Sequence, residues 1–420
     1  MSLRVSQTSV WNSKTQELHD MFLYPTQIKV LNAASKNYIY ELGTGSGKTY
    51  ISLHHYVKHS SAPLLIIMPP AKKKEGGWRK SIDFFCRYYD TEIEYEELSW
   101  GMLSKRWQDY KGYYVIVDEC HTVKNSTSQV GKAFYNLTKI ADGYCLLSAT
   151  PMSNGWEDSI NYFKAFSMTK NKTQFLKRYA LQETKKRADG RMYPVIVGWQ
   201  HEDDLKGMWQ SIAIQREASH FVELPQLNEI FIDFKKSSTY KELEKERLLE
   251  INGELVPFDT LPKLNAGRRK YANPKEKISH LEMLIDTDEN ILIFYNFNSE
   301  RDDIRKLLHK YKKKVYEVSG HGFDLPDDTS RLKNSVTLVQ YQAGGAGIEL
   351  QYCSIMVMFS PTYSYQDYIQ SIGRAYRPGG HGRLTMYKYK VKGTIETEVY
   401  RALDNKRDFK DELYREEVMT

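Results

Sequence analysis
The sequence predicts an α/β protein of two lobes, each a mainly parallel sheet flanked by helices, with a charge-rich connecting region between them. Between residues 38 and 150, short apolar runs alternate with polar or glycine-rich turns and helical stretches, and the same rhythm returns after residue 289. Continuous apolar runs of this length, set between helical segments, mark strands buried on both faces of a parallel sheet. The residues in between break the rhythm and are rich in charge. The expected boundaries are 1–165 for the first lobe, 166–275 for a partly helical connecting region and 276–420 for the second lobe; a chain of 420 residues suits two or three domains.

The runs of the first lobe are NYIYEL (37–42), PLLIIM (63–68), YYVIVD (113–118) and YCLLSA (144–149). Those of the second are NILIFY (290–295), KVYEVS (314–319), VTLVQY (336–341), SIMVMF (354–359) and TMYKYK (385–390). The connecting region holds a hairpin signal at Ala188-Asp189-Gly190, a strand-like LNEIFIDF (227–234) and a polar helix, STYKELEKERLLEI. Lys172, Lys177, Arg178, Lys185, Lys186 and Arg187 cluster there, which suits either a solvated face or a surface facing nucleic acid.

Composition narrows the class. With 41% apolar and 27% charged residues the chain has material for ordinary soluble cores, and its net charge of +7 favours an anionic partner, nucleic acid first. Cys86, Cys120, Cys145 and Cys353 are far apart and show no zinc-ligand spacing, so reduced thiols are expected. The start, MSLRVSQTSVWNSKTQ, lacks the apolar core of a signal peptide, and no apolar run approaches the roughly 20 residues that span a bilayer. A protein of the cytoplasm, without membrane contact, is expected.

ELGTGSGKTY (41–50) follows the first run directly and opens a helical stretch. Such a turn lets backbone N–H groups wrap phosphate oxygens at a helix N-terminus, so Thr44, Gly45, Ser46 and Gly47 are expected to cradle the phosphates of ATP. Lys48 would neutralise the terminal phosphates, and Thr49 would ligate Mg²⁺. Leu42 stands where the strict phosphate-loop pattern has glycine. YYVIVDECH ends a buried strand in two acids: Asp118 is expected to hold the metal and Glu119 to act as general base, with His121 coupling the site to the rest of the lobe. In LLSATPMSN the hydroxyls of Ser148 and Thr150 sit at another strand end, within reach of the acid motif. Gln27 precedes the phosphate loop by about one helix, and its amide could read the adenine edge. In the second lobe QSIGRAYRPGG sets Arg374 and Arg377 three apart, on one face if helical, to stabilise charge on the transferred phosphoryl group. Hydrolysis would then depend on lobe closure.

Taken in order, these motifs resemble helicase superfamily two and, within it, the Swi/Snf-type DNA translocases. VIVDECHTVKN is similar to that group's acid motif, LLIIMPPAKKKEGGWRKSIDFF to its strand, proline and downstream tryptophan (Pro69 and Trp78), and LLSATPMSN to its third motif. QREASHFVELPQLNEIFIDF, Tyr240, NILIFYNFNSERDDI, QAGGAGIEL and QSIGRAYRPGG complete the likeness, which runs from about Leu23 to Lys390. It implies two RecA-like P-loop lobes and an ATP- and Mg²⁺-dependent, DNA-stimulated ATPase. Gly347 and Glu349 would then approach the nucleotide, and Gln370 would join the coupling residues. Contacts to DNA would fall at Pro70, Lys72, Lys124, Asn125, Asn154, Gly344 and Gly345, mainly to phosphates. Cys120 and Glu349 depart from the family's usual alanine and its asparagine or aspartate.

The expected function is a double-stranded-DNA-stimulated ATPase and translocase of replication, recombination or repair, with single-stranded DNA a possible partner and RNA behind both. The alternatives are a strand-separating DNA or RNA helicase, and a non-catalytic nucleic-acid-binding scaffold. The resemblance is to a compact bacterial or phage version without the appended domains of eukaryotic remodellers, and a monomer is expected.

Overall fold
The computed structural model describes residues 23–153, 155–186, 190–251, 253–272, 275–311, 313–320, 322–326, 328–329, 331–343, 348–380 and 382–405. The chain divides into two compact units, residues 1–222 and 223–420. The stretch expected to connect two lobes is shared between them.

The first unit is built on β1 (Tyr38–Leu42), β2 (Leu64–Met68), β3 (Tyr95–Ser99), β4 (Tyr114–Asp118), β5 (Gly143–Ser148) and, beyond a hairpin of β6 (Ala180–Lys186) and β7 (Met192–Trp199), β8 (Ala213–Arg216). Six of these form one parallel sheet in the order β3-β2-β4-β5-β1-β8. Alternate residues go to opposite faces. Ile39, Leu65, Ile67, Val115, Val117 and Leu146 enter one core, and Tyr40, Leu64, Ile66, Ile116, Cys145 and Leu147 enter the other. That is why these runs read as continuously apolar: each strand is covered twice. Fully burying one such side chain contributes about 1.5–3 kcal/mol, so a charge at Ile116 would break the sheet's centre. All four cysteines are free thiols.

β6 and β7 pair antiparallel with a bulge at Leu181/Gln182, and they expose Leu181, Met192 and Val197. The turn signal at Ala188 and Asp189, with Arg187, lies outside the described residues. Two of the basic residues clustered here are matched by acids, Lys172 by Glu157 at 2.8 Å and Arg178 by Asp204 at 3.7 Å.

The second unit opens with β9 (Gln226–Phe234) and a small antiparallel pair, β10 (Leu248–Ile251) with β11 (Glu254–Pro257). β12 (Ile291–Tyr295), β13 (Lys314–Ser319), β14 (Gly322–Phe323), β15 (Ser335–Gln340), β16 (Ile355–Met358) and β17 (Arg383–Val391) follow. The sheet order is β14-β13-β15-β12-β16-β17-β9, parallel except for β14. LNEIFIDF is therefore the edge strand of this sheet, in register with β17 over its full length. The polar helix expected over 238–251 runs only from Ser238 to Glu246, because Arg247 turns left-handed (φ 51°) and the chain enters β10. Buried Lys277 bonds Glu396 at 2.8 Å and the Phe359 carbonyl at 3.0 Å, tying the helix Lys275–Ile285 to the helix Ile395–Asp404. No helix among the described residues is long and apolar enough to cross a membrane.

Candidate nucleotide site
In a parallel sheet every strand ends at the same edge, and loops leaving that edge are where α/β proteins bind ligands. The order β2-β4-β5-β1 therefore lines up the residues after Met68, Asp118, Ser148 and Leu42. Pairing of Asp118 with Leu147, and of Glu41 with Ser148, fixes the register.

The loop after β1 turns at Gly45 (φ 88°) and Gly47 (φ 79°), and the helix Lys48–His59 starts there. Both angles are left-handed and favour glycine. A Cβ on Gly47 would also stand 2.4 Å from Gln27 Nε2. Leu42 is fully buried as the last residue of β1, which accounts for the missing glycine: that position belongs to the core. Gly43 is the glycine under constraint, since a Cβ there would lie 2.6 Å from the Ala218 nitrogen. Lys48 folds over the loop, donating to the carbonyls of Leu42 at 2.7 Å and Gly43 at 3.1 Å. Gln27 donates to the Ser46 carbonyl at 2.7 Å and accepts from Tyr24 N–H at 2.8 Å. Its amide braces the phosphate loop from behind. Thr44 and Thr49 are half-buried, and the buried Ser46 hydroxyl has no hydrogen-bond partner among the described residues.

β4 delivers Asp118 to this edge. Glu119 then takes a left-handed conformation (φ 55°, ψ 52°), a cost of about 1–2 kcal/mol for a residue with a Cβ. Strain of this kind is tolerated where it aims a functional side chain. Lys72, from the helical turn Pro70–Glu75 after β2, reaches both acids, at 3.0 Å from Asp118 Oδ2 and 3.1 Å from Glu119 Oε1. Trp78 donates its indole N–H to Asp118 Oδ2 at 2.9 Å. His121 Nδ1 is 3.5 Å from Glu119 Oε2 and 3.3 Å from Ser148 Oγ, which in turn accepts from Thr150 N–H at 3.1 Å.

The charges follow from this packing. Burial pushes the Glu119 carboxyl up, but Lys72, His121 and Lys48 together overcome it and hold it down at about 2. Burial likewise pulls the Lys72 ammonium down, and Asp118 and Glu119 more than reverse that, leaving it above the ordinary lysine value. Burial outweighs the pull of Glu119 on His121 and keeps that imidazole below its usual value, hence mostly neutral at pH 7.

Thus Gln27, Lys48, Asp118, Glu119, His121, Ser148 and Thr150 gather at one sheet edge, and Lys72 joins them. Other expected polymer contacts are engaged within the fold. Lys124 pairs with Asp158 at 2.8 Å and bonds the Ser153 hydroxyl. Asn125 accepts from the N–H and hydroxyl of Thr127 at 2.9 and 2.8 Å. Pro70 is exposed. Asn154, Gly344, Gly345 and Gly347 lie outside the described residues.

In the second unit Arg374 is buried on the helix Tyr365–Ala375, with Gln370 half-buried a turn earlier. Arg377 does not share a helical face with Arg374. The helix stops at Ala375, with Tyr376 already out of helical geometry (ψ 79°), and Pro378 disfavours it at Arg377. Arg377 instead turns back, donating through Nε to the Gly373 carbonyl at 2.5 Å and lying 3.9 Å from Glu349.

Residues 276–379 match the family described as "Helicase conserved C-terminal domain". The chain is 23% identical to an uncharacterised ATP-dependent helicase of Mycoplasma pneumoniae, over 89% of this chain and 40% of that protein. It is 21% identical to a DNA excision repair protein ERCC-6-like of Danio rerio, over 77% of this chain and 28% of the other. The chain is thus similar to ATP-dependent helicases and DNA repair proteins, and residues 276–379 carry the helicase C-terminal domain match. It spans less than half the length of either relative. It also shares 23% identity with an uncharacterised ATP-dependent helicase of Bacillus subtilis, over 70% of this chain and 58% of that protein. The solved Sulfolobus solfataricus SWI2/SNF2 ATPase core in complex with dsDNA aligns over 91% of both chains at 16% identity and a TM-score of 0.41.

Proposed function
We propose that this chain is an ATP-driven motor that moves along double-stranded DNA, in replication, recombination or repair. The observation that carries it is the meeting, at one edge of one sheet, of the glycine loop with Lys48, the Asp118–Glu119 pair and the Ser148 hydroxyl. The roles follow from the chemistry. Lys48 neutralises the terminal phosphates, and backbone N–H groups of Thr44 to Gly47 hold them.

Mg²⁺ is bound mostly through water, substrate phosphates and one or two carboxylates rather than an all-protein cage. The residues fit such an ion: the Asp118 carboxylate ends the strand beside the phosphate loop, and a cationic ammonium already sits against it. Thr49 and Asp118 would hold it, and when bound it supplies positive charge to the phosphoryl oxygens. Glu119, ionised at neutral pH, is the base that takes a proton from water, and the Ser148–His121 contact reports its state. Arg374 and Arg377 are the residues proposed to supply positive charge to the transferred phosphoryl group.

The names of the relatives, ATP-dependent helicase and DNA excision repair protein, agree with this reading. A monomer in the cytoplasm of a bacterium or phage-infected host is the setting proposed. A second reading, strand separation, is favoured by the β6–β7 hairpin with its exposed apolar side chains. The test is steady-state ATP hydrolysis with no polymer, duplex DNA, single-stranded DNA or RNA, with Lys48→Ala as the blank. Stimulation by duplex supports the translocase, stimulation by single strands alone supports the helicase, and no hydrolysis under any condition rejects both.

A further inference from the structure
The contact of Lys72 with the acid motif is absorbed by none of the roles above. Its ammonium lies within 3.1 Å of both Asp118 Oδ2 and Glu119 Oε1, where it is the only side-chain cation hydrogen-bonded to either carboxylate among the described residues. Trp78 takes the same Asp118 oxygen, so both donors crowd Oδ2. Lys72 is carried by a turn of only six residues, bounded by Pro69 and by Gly76 at φ 67°. Its side chain keeps 25% of its exposure, so water and anions can reach it. The same segment displays exposed Lys73, Lys74, Arg79 and Lys80.

We propose that Lys72 is a tethered counter-ion of the acid motif, one that must let go before Asp118 can take a divalent cation, and that a backbone phosphate of the bound nucleic acid is what draws it away. The proposal rests on the motor reading and deepens it. The ammonium and a divalent cation compete for the same place against Asp118 Oδ2: held on the carboxylates Lys72 blocks the metal, and drawn off toward a phosphate it releases them. Polymer binding and hydrolysis would thus be linked through a single side chain, over one short turn, within the first unit.

The test replaces Lys72 by Met and by Gln, with Lys72→Arg as the charge-conserving control. The first readout is binding of a fluorescent ADP analogue titrated with Mg²⁺, without polymer. The expected result is a Mg²⁺ midpoint lower by about tenfold in Lys72→Met and Lys72→Gln, the scale of one charge-assisted hydrogen bond, and unchanged in Lys72→Arg. The second readout is ATP hydrolysis without polymer, expected to rise toward the duplex-stimulated rate in the same two variants. Lys72→Gln keeps a donor for the buried carboxylates, so it preserves the test if Lys72→Met fails to fold. An unchanged Mg²⁺ midpoint in a folded Lys72→Gln protein, or a polymer-free rate that falls, overturns the proposal. Failure of the motor reading is seen separately, as absence of duplex stimulation in the unaltered protein.

Discussion

Trp78 donates its indole N–H to Asp118 Oδ2 across 2.9 Å, from the first turn of the helix Gly77–Tyr89 to the last residue of β4. The tryptophan is 3% exposed, so the bond is closed to water. A buried neutral donor to a carboxylate fixes where the carboxylate points without cancelling its charge. Trp78→Phe keeps the ring and removes the donor. It is expected to lower the stability of the first unit by about 1–3 kcal/mol, read as a lower urea midpoint. An unchanged midpoint would show that packing alone holds the ring.

Gln27 separates two roles. Its amide is engaged with Ser46 and Tyr24, which makes it a brace for the phosphate loop, whereas a reader of adenine would discriminate between bases. For Gln27→Ala, equal losses of affinity for ATP and GTP are expected from the brace. A loss confined to ATP would restore the adenine role. Competition binding with both nucleotides decides it.

Arg377→Ala is expected to bind ATP nearly as well as the unaltered protein while losing most hydrolysis, by about 10³-fold if it acts as an arginine finger. Nucleotide affinity and single-turnover rate, measured side by side, check this. A rate equal to the unaltered protein's would remove Arg377 from the chemistry.

Stability should depend on acid through His55. Burial, followed by the neighbouring charge of His59, lowers its pKa from 6.5 to about 3, while Tyr40 hydroxyl and the Lys36 carbonyl hold its two ring nitrogens. The unfolded chain therefore binds the extra proton, and stability present at pH 7 drains away as pH falls from 6.5 toward 3. The expected outcome is a first-unit melting temperature that drops over this range. In His55→Gln the drop is shallower, and identical slopes would contradict the assignment.

The runs that became β1, β2, β4 and β5 were legible because two-sided burial writes itself as unbroken apolar sequence. β3, YEELS, was not: only Leu98 of that edge strand is buried, and Glu96 is exposed, so its composition reads as a loop. β8 is four residues long, and its AIQR carries no pattern to find. The phosphate loop, acid motif and Ser148 were legible as motifs, since their chemistry demands particular residues in order. The pairing of Lys72 with the acids was not, because it depends on β2 lying beside β4, a fact of topology that no local window contains. Proline 378 did carry a readable signal against a helix through Arg377.

The handover between the sheets has a consequence for evolution and for engineering. β8 closes one sheet beside β1, and β9 closes the other beside β17, although the two strands are separated by only the residues 217–225. Phe221 still packs in the first unit's core. Each half thus borrows its last strand from what looks, in sequence, like a hinge. A recombination crossover that preserves both halves has a window of a few residues after Val222, and a graft that cuts earlier or later would leave one partner with a raw, unpaired edge.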